Sequence, residues 1–194
     1  YVTTSRYLAD HAITCNGDVS LLSDVAIDVT DGRISWIGKQ ADAPVHHGPT
    51  SELGGLVMPG LVNSHAHTPM TLVRGAGDGL PLMDWLTKVM WPREGQMTAE
   101  DALWGMRLGA AEMLLSGVTS TCEMYLFEDA LVEAATEIGI RLAITPGIIS
   151  AVHGNSLAAV DNRITEIAEF HSEYHDPESL ITVGFGPHSA YDLP

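Results

Sequence analysis

The sequence predicts an α/β protein: the first half of a (β/α)8 TIM-like barrel, preceded by part of a small β-sandwich domain. Three observations carry this expectation. The first 56 residues hold short β-prone runs punctuated by turn residues, the texture changes at Met58-Pro59-Gly60, and strands then alternate with helical patterns. Residues 1–56 therefore read as the N-terminal strands of a small composite β domain. Residues 57–194 read as the first four β/α units of a barrel whose C-terminal half is absent.

The early strands are expected at Tyr7-Leu8, Val25-Ala26-Ile27-Asp28-Val29 and Ile34-Ser35-Trp36-Ile37-Gly38. Asp31-Gly32 between the last two is a hairpin signal, because a tight turn needs the positive φ that glycine adopts cheaply. Barrel strands are placed at about 61–67, 118–124, 140–147 and 181–188. The helices between them are expected at 98–116, capped by Thr98 and ended by Gly117, at 128–138, ended by Gly139, and at roughly 156–175, begun near Asn155 or Ser156. Leu103, Met106, Leu108, Ala110, Met113 and Leu114 recur at helical spacing and read as core packing. The long segment 68–97 reads as a βα loop of the kind that overhangs a barrel site. Four parallel strands cannot close a barrel. The remaining units are accordingly expected from further sequence or from a second chain.

Composition narrows the function. The 194 residues carry 9 Lys+Arg against 25 Asp+Glu, a net charge of −16, which repels phosphate backbones and anionic membrane surfaces, so neither nucleic acid nor a membrane is expected as a partner. Cys15 and Cys122 form no closely spaced pair, which points to free thiols in a reducing compartment, the cytoplasm by default. No apolar run approaches the roughly 18 residues of a membrane span. The start Tyr1-Val2-Thr3 lacks the order of a signal peptide and has no initiator Met, so some preceding residues are expected. Self-association stays open.

The chemistry centres on Gly60-Leu61-Val62-Asn63-Ser64-His65-Ala66-His67. Strand alternation would put Asn63, His65 and His67 on one face and Val62, Ser64 and Ala66 on the other. Two imidazoles converging at the carboxyl end of a barrel strand are a natural start for a Zn²⁺ or Fe²⁺ site. A bare His-x-His is equally compatible with surface or core histidines. His11, His46, His47, His153, His171 and His175 have no convergent partners in the sequence and read as surface residues.

The run Val57–Met70 resembles the first barrel strand of the amidohydrolase superfamily. The likeness continues through Arg74-Gly75, Leu82-Met83-Asp84-Trp85-Leu86, Trp91-Pro92-Arg93-Glu94 and Gly184-Phe185-Gly186-Pro187-His188-Ser189-Ala190-Tyr191. Within it, the sequence is most similar to the branch of 5′-methylthioadenosine/S-adenosylhomocysteine deaminases and triazine chlorohydrolases. The resemblance implies one divalent metal, zinc foremost with iron as the alternative, held here by His65 and His67. A later His, a later Asp and a proton-shuttling Glu fall beyond this sequence, so no catalytic residue is expected within it. It further implies substrate contacts by Glu94 toward a nucleoside sugar, by His188 at the fourth strand, and by Arg163 toward the far end of the substrate. Trp85 and Trp91 could shield an aromatic base or anchor a lid by packing. Arg163 could equally be a surface ion-pair partner, and Glu123 could brace the metal ligands or belong to a satisfied polar layer.

The implied activity is hydrolytic deamination of an aminopurine nucleoside of the adenosine, 5′-deoxyadenosine, methylthioadenosine or S-adenosylhomocysteine type, through a metal-bound hydroxide. The alternatives are a chlorohydrolase or aminohydrolase acting on a triazine, guanine or another N-heterocycle, and an incomplete, non-catalytic fragment needing a second chain. One departure bears on the substrate. Pro146 stands where the pattern has another arginine, which favours a small, neutral 5′ substituent. Lys39 and Lys88 are the only lysines and neither falls on the fourth strand, so the bridging lysine of binuclear relatives is missing and one metal is expected.

Overall fold

The structure, a computed structural model, describes residues 3–17 and 20–193. Tyr1 and Val2, on which the reading of the N-terminus rests, lie outside the described residues, as does Pro194. The chain divides into two compact units, Tyr1–Pro59 and Gly60–Pro194.

The first unit is a five-stranded sheet. Strands β1 (Thr4–Ile13), β2 (Leu21–Thr30) and β3 (Arg33–Lys39) are antiparallel neighbours, while β4 (Thr50–Glu52) and β5 (Leu56–Val57) both run parallel to β1. Asp31 and Gly32 both take positive φ, 48° and 77°, as a two-residue hairpin turn requires. The strands are longer than the sequence indicates, because pairing continues through polar residues such as Ser5, Arg6 and Ser23 that a hydrophobic pattern does not mark. Ala12, Val25 and Ile27 form the small core. Asp28 is buried beside them and accepts a two-pronged bond from Arg6, at 2.6 and 2.7 Å, while Arg6 also donates to the Pro44 carbonyl. The guanidinium holds the Asp28 carboxyl below the usual carboxylate range.

The second unit holds a four-stranded parallel sheet in the order β10-β8-β7-β6. Its strands are β6 (Leu61–Ala66), β7 (Val118–Glu123), β8 (Arg141–Ile144), extended by β9 (Gly147–Ile148), and β10 (Ile181–Val183), extended by β11 (Gly186–Pro187). The breaks fall at Thr145-Pro146 and Gly184-Phe185, after which β9 and β11 pair with each other in parallel. Between the strands lie α1 (Leu82–Trp85), α2 (Trp91–Glu94), α3 (Ala99–Leu115), α4 (Glu128–Ile138), α5 (Ser150–His153) and α6 (Leu157–Tyr174). Helix ends follow local chemistry. Thr98 and Asp101 form a reciprocal capping box, Ser156 accepts from the Ala159 N–H, and Gly139 closes α4 with φ 82°. Leu142, Ile144, Ile181 and Val183 on the sheet pack against Met106, Ala110, Leu131 and Ala135 of α3 and α4, making one core on the helix-covered face. Leu108 is an exception to the predicted stripe, 44% exposed, because it lies on the opposite side of α3 from Met106 and Ala110.

Segment 68–97 is not a plain loop. It contains a 3-10 turn at Thr68–Val73 and a nearly continuous helical stretch from α1 through α2. Thr68 and Pro69 are buried against α3, where Gly105 and Gly109, one turn apart, open a slot. A Cβ at Gly105 would fall 2.5 Å from the Pro69 carbonyl oxygen, and one at Gly109 would fall 2.3 Å from the Thr68 methyl. The slot fixes the backbone directly after His67.

Candidate metal and nucleoside site

His65 and His67 stand at the carboxyl end of β6, ring centroids 5.0 Å apart and nearly perpendicular. Asn63, His65 and His67 line one open cavity of about 450 Å³ together with Gly109, Glu112 and Met113 of α3. The pairing of β6 with β7 is irregular between Asn63 and Ala66, so that Asn63 aligns with Thr121 and Ala66 with Glu123, both buried on the helix-covered side. Asn63 accordingly points to Met113 of α3.

The ring of His67 is oriented by a 2.5 Å hydrogen bond between Nδ1 and the Met124 carbonyl. A carbonyl only accepts, so Nδ1 carries the proton and Nε2 keeps its lone pair. Such an arrangement is the one a metal-ligating imidazole needs. Behind it, Glu123 is fully buried and accepts from the Thr68 N–H at 2.9 Å, from the Thr68 hydroxyl, and from the Thr121 hydroxyl at 3.1 Å. This carboxylate ties the end of β7 to the residue that follows His67. Both readings of Glu123 meet in one geometry: it is a satisfied polar layer, and that layer anchors a candidate ligand. Among the described residues, no cluster of three or more His, Cys, Asp or Glu gathers as a complete metal site.

His67 also faces a cavity of about 240 Å³ lined by Trp85, Glu94, Tyr125 and His188, with Met70, Leu86, Met90, Met124, Leu126, Ile149 and Val152 supplying apolar walls. Three residues singled out in the sequence, Trp85, Glu94 and His188, thus meet His67 around one space. The Trp85 indole N–H donates to the Ala76 carbonyl at 3.0 Å and Trp85 lines the cavity. Trp91 is half exposed and lies outside this lining. His188 Nδ1 lies 3.6 Å from Asp192, which accepts from the Ser150 N–H and hydroxyl. Those bonds from Ser150 lower the Asp192 carboxyl below its ordinary range.

Arg163 stands apart from the cavity. Its guanidinium donates to the Gly147 carbonyl at 3.0 Å, to Glu166 at 3.0 Å and to Glu128. Three acceptors hold it in ion pairs, as one alternative of the sequence reading had it, but its side chain is largely buried at 14% exposed rather than at the surface. Pro146 is fully buried. The minor histidines are also better placed than expected: His171 and His175 stack at 4.2 Å, being one helical turn apart, and His175 Nδ1 accepts from the Val183 N–H. His46 is largely buried, 3.9 Å from Asp28. Sequence reasoning missed Tyr125, whose hydroxyl donates to Glu94 Oε1 at 3.0 Å. Its place just past the end of a barrel strand was the available signal.

The sequence model described as the amidohydrolase family matches residues 56–194. Among curated proteins, the chain is similar to the 5′-deoxyadenosine deaminase of Methanopyrus kandleri, 41% identical over 168 residues covering 83% of this chain and 38% of that protein. It is also similar to the 5-methylthioadenosine/S-adenosylhomocysteine deaminase of Symbiobacterium thermophilum, 40% identical over 181 residues, 92% of this chain and 41% of that protein. The chain thus spans about two fifths of the length of these relatives. Among solved structures, an adenosine deaminase from Xanthomonas campestris with bound zinc superposes with TM-score 0.86 at 32% identity, covering 99% of this chain and 44% of that one. An atrazine chlorohydrolase from Arthrobacter aurescens complexed with zinc shares the fold, with TM-score 0.82 at 21% identity over 98% of this chain and 48% of that one.

Proposed function

Because the chain belongs to the amidohydrolase family, we propose that it supplies the first half of a barrel enzyme that hydrolytically deaminates an aminopurine nucleoside bearing a small, neutral 5′ substituent. The convergence of His67, Glu94, Trp85 and His188 on one largely apolar cavity carries this reading. The names of the relatives at about 40% identity support an aminopurine nucleoside; that of the Methanopyrus relative carries a small 5′ substituent, whereas that of the Symbiobacterium relative covers both 5-methylthioadenosine and S-adenosylhomocysteine, so the narrowing rests on the residues below.

The donor chemistry of His65 and His67 fits a divalent ion, zinc by analogy with the bound zinc of the Xanthomonas neighbour. A lone pair at His67 Nε2 is left available by the bond at Nδ1, and the second imidazole stands 5.0 Å away. When bound, such an ion supplies Lewis-acid activation of water. The chain's own residues bind and orient. Glu94 offers a carboxylate to sugar hydroxyls, Trp85 and the surrounding methionines and leucines exclude water from the base, and His188 presents an imidazole braced by Asp192. The further metal ligands and the proton-moving group are assigned to the part of the protein outside this chain, which completes the barrel. The cavity lining contains no Arg or Lys, Arg163 is engaged elsewhere and Pro146 is buried. An amino-acid tail with its carboxylate therefore finds no cation among these residues.

Ultraviolet-monitored turnover of adenosine, 5′-deoxyadenosine, 5′-methylthioadenosine and S-adenosylhomocysteine by the whole protein tests the proposal. The three nucleosides without an amino-acid tail are expected to have the higher kcat/KM. Equal or greater efficiency on S-adenosylhomocysteine overturns the substrate class, and failure to deaminate any of the four overturns the reaction.

A further inference from the structure

Tyr125 follows β7 at the carboxyl end of the sheet and is only 7% exposed. Its ring centroid lies 6.3 Å from that of His67, and its hydroxyl donates to Glu94 Oε1 while lying 3.4 Å from the Met97 sulfur. Glu94 is the last residue of a four-residue helix, α2, near the end of the irregular segment 68–97. Among the described residues, the phenol is the hydrogen-bond donor to this carboxylate, and it engages one oxygen, Oε1.

We propose that Tyr125 is a positioning residue for sugar recognition: it pins one oxygen of Glu94 so that the other faces the cavity as the acceptor for a vicinal diol. The inference rests on the reading that Glu94 contacts the nucleoside sugar. A carboxylate free to rotate would pay the entropy of ordering each time a substrate binds; one held at Oε1 by a buried donor has that order in advance. The donor stays protonated, because burial and then the neighbouring Glu94 charge push the phenol above its usual range. The tie spans 31 residues of sequence and joins the irregular segment to the residue just past the end of β7.

The test compares kcat/KM of the whole protein for adenosine and 2′,3′-dideoxyadenosine, in wild type, Tyr125→Phe, Glu94→Gln and the double variant. Phenylalanine keeps the ring and its packing beside His67 and removes only the hydroxyl. The wild type is expected to prefer the diol. Tyr125→Phe is expected to lose roughly tenfold of that preference, the scale of one hydrogen bond to a charged group, mainly through KM for adenosine, with the dideoxynucleoside changed by less than about twofold. The double variant is expected to be no worse than Glu94→Gln, since one residue acts through the other. If wild type discriminates, Glu94→Gln loses the discrimination and Tyr125→Phe keeps it, the inference about Tyr125 fails while the reading of Glu94 stands. An equal loss on both nucleosides reduces Tyr125 to a packing residue and overturns the inference. If wild type turns over both equally, the reading of Glu94 itself falls and takes the inference with it.

Discussion

Replacing Glu123 by alanine should unfasten the candidate ligand His67 and cost the second unit a large part of its stability. Glu123 is fully buried and is the acceptor for three donors: the Thr68 N–H, the Thr68 hydroxyl and the Thr121 hydroxyl. Each buried donor left without a partner costs about 1–3 kcal/mol. The hydroxyls can rotate toward other acceptors but the backbone N–H cannot, so the expected loss is roughly 3–4 kcal/mol for the three together. Against a total of about 5–15 kcal/mol for a typical domain, such a loss is visible without ambiguity. In urea, with a slope of about 1–3 kcal/mol per molar, the midpoint should fall by about 1–4 M. Glutamine is the sharper probe. Its carbonyl can still accept from the Thr68 N–H while its NH₂ faces the two hydroxyls, which can turn to accept, so Glu123→Gln should lose only about 1 kcal/mol. An alanine variant with an unchanged midpoint would refute the idea that this carboxylate anchors the segment after His67.

Gly105→Ala ordinarily gains helix propensity, yet here the new methyl meets the Pro69 backbone at 2.5 Å; a net loss of about 1–3 kcal/mol is expected in thermal unfolding, and a gain would show that the slot is not tight. Thr98→Ala removes one side of the capping box of α3 and should cost about 1 kcal/mol by denaturant titration. The acid response of the first unit should report on Asp28. Its folded pKa is depressed by Arg6, so its contribution is fully present above the unfolded value near 3.9 and is lost as pH falls through the lower folded value. Unfolding monitored at stepwise pH below about 4 should be less pH-dependent in Asp28→Asn than in wild type, and parallel curves would remove Asp28 from the account.

Features set by a few adjacent residues were legible in the sequence. The ends of α3, α4 and α6 follow from Thr98, Gly139 and Ser156 because capping is a local hydrogen-bond problem. The four parallel strands were legible as short β-prone runs alternating with helical patterns, two of them, β6 and β7, rich in polar residues. What depends on partners distant in sequence was not. The register of β6 against β7 is irregular between Asn63 and Ala66, and strict alternation cannot anticipate an extra residue. The helical turns inside 68–97 form around Pro69, Pro81 and Pro92 in pieces too short for a periodic pattern. Arg163 had both candidate partners, the substrate and a carboxylate, in its sequence reading; Glu128, 35 residues away, decides where it points. Tyr125 gains its meaning only when β7 brings it beside Glu94.

The most direct measurement of the central claim is metal content by elemental analysis of the whole protein, wild type against His65→Ala and His67→Ala. One divalent ion per chain in the wild type, and much less than one in each variant under the same purification, is the predicted result. Full metal retention in both variants would contradict the account, because it would mean that these two imidazoles hold nothing.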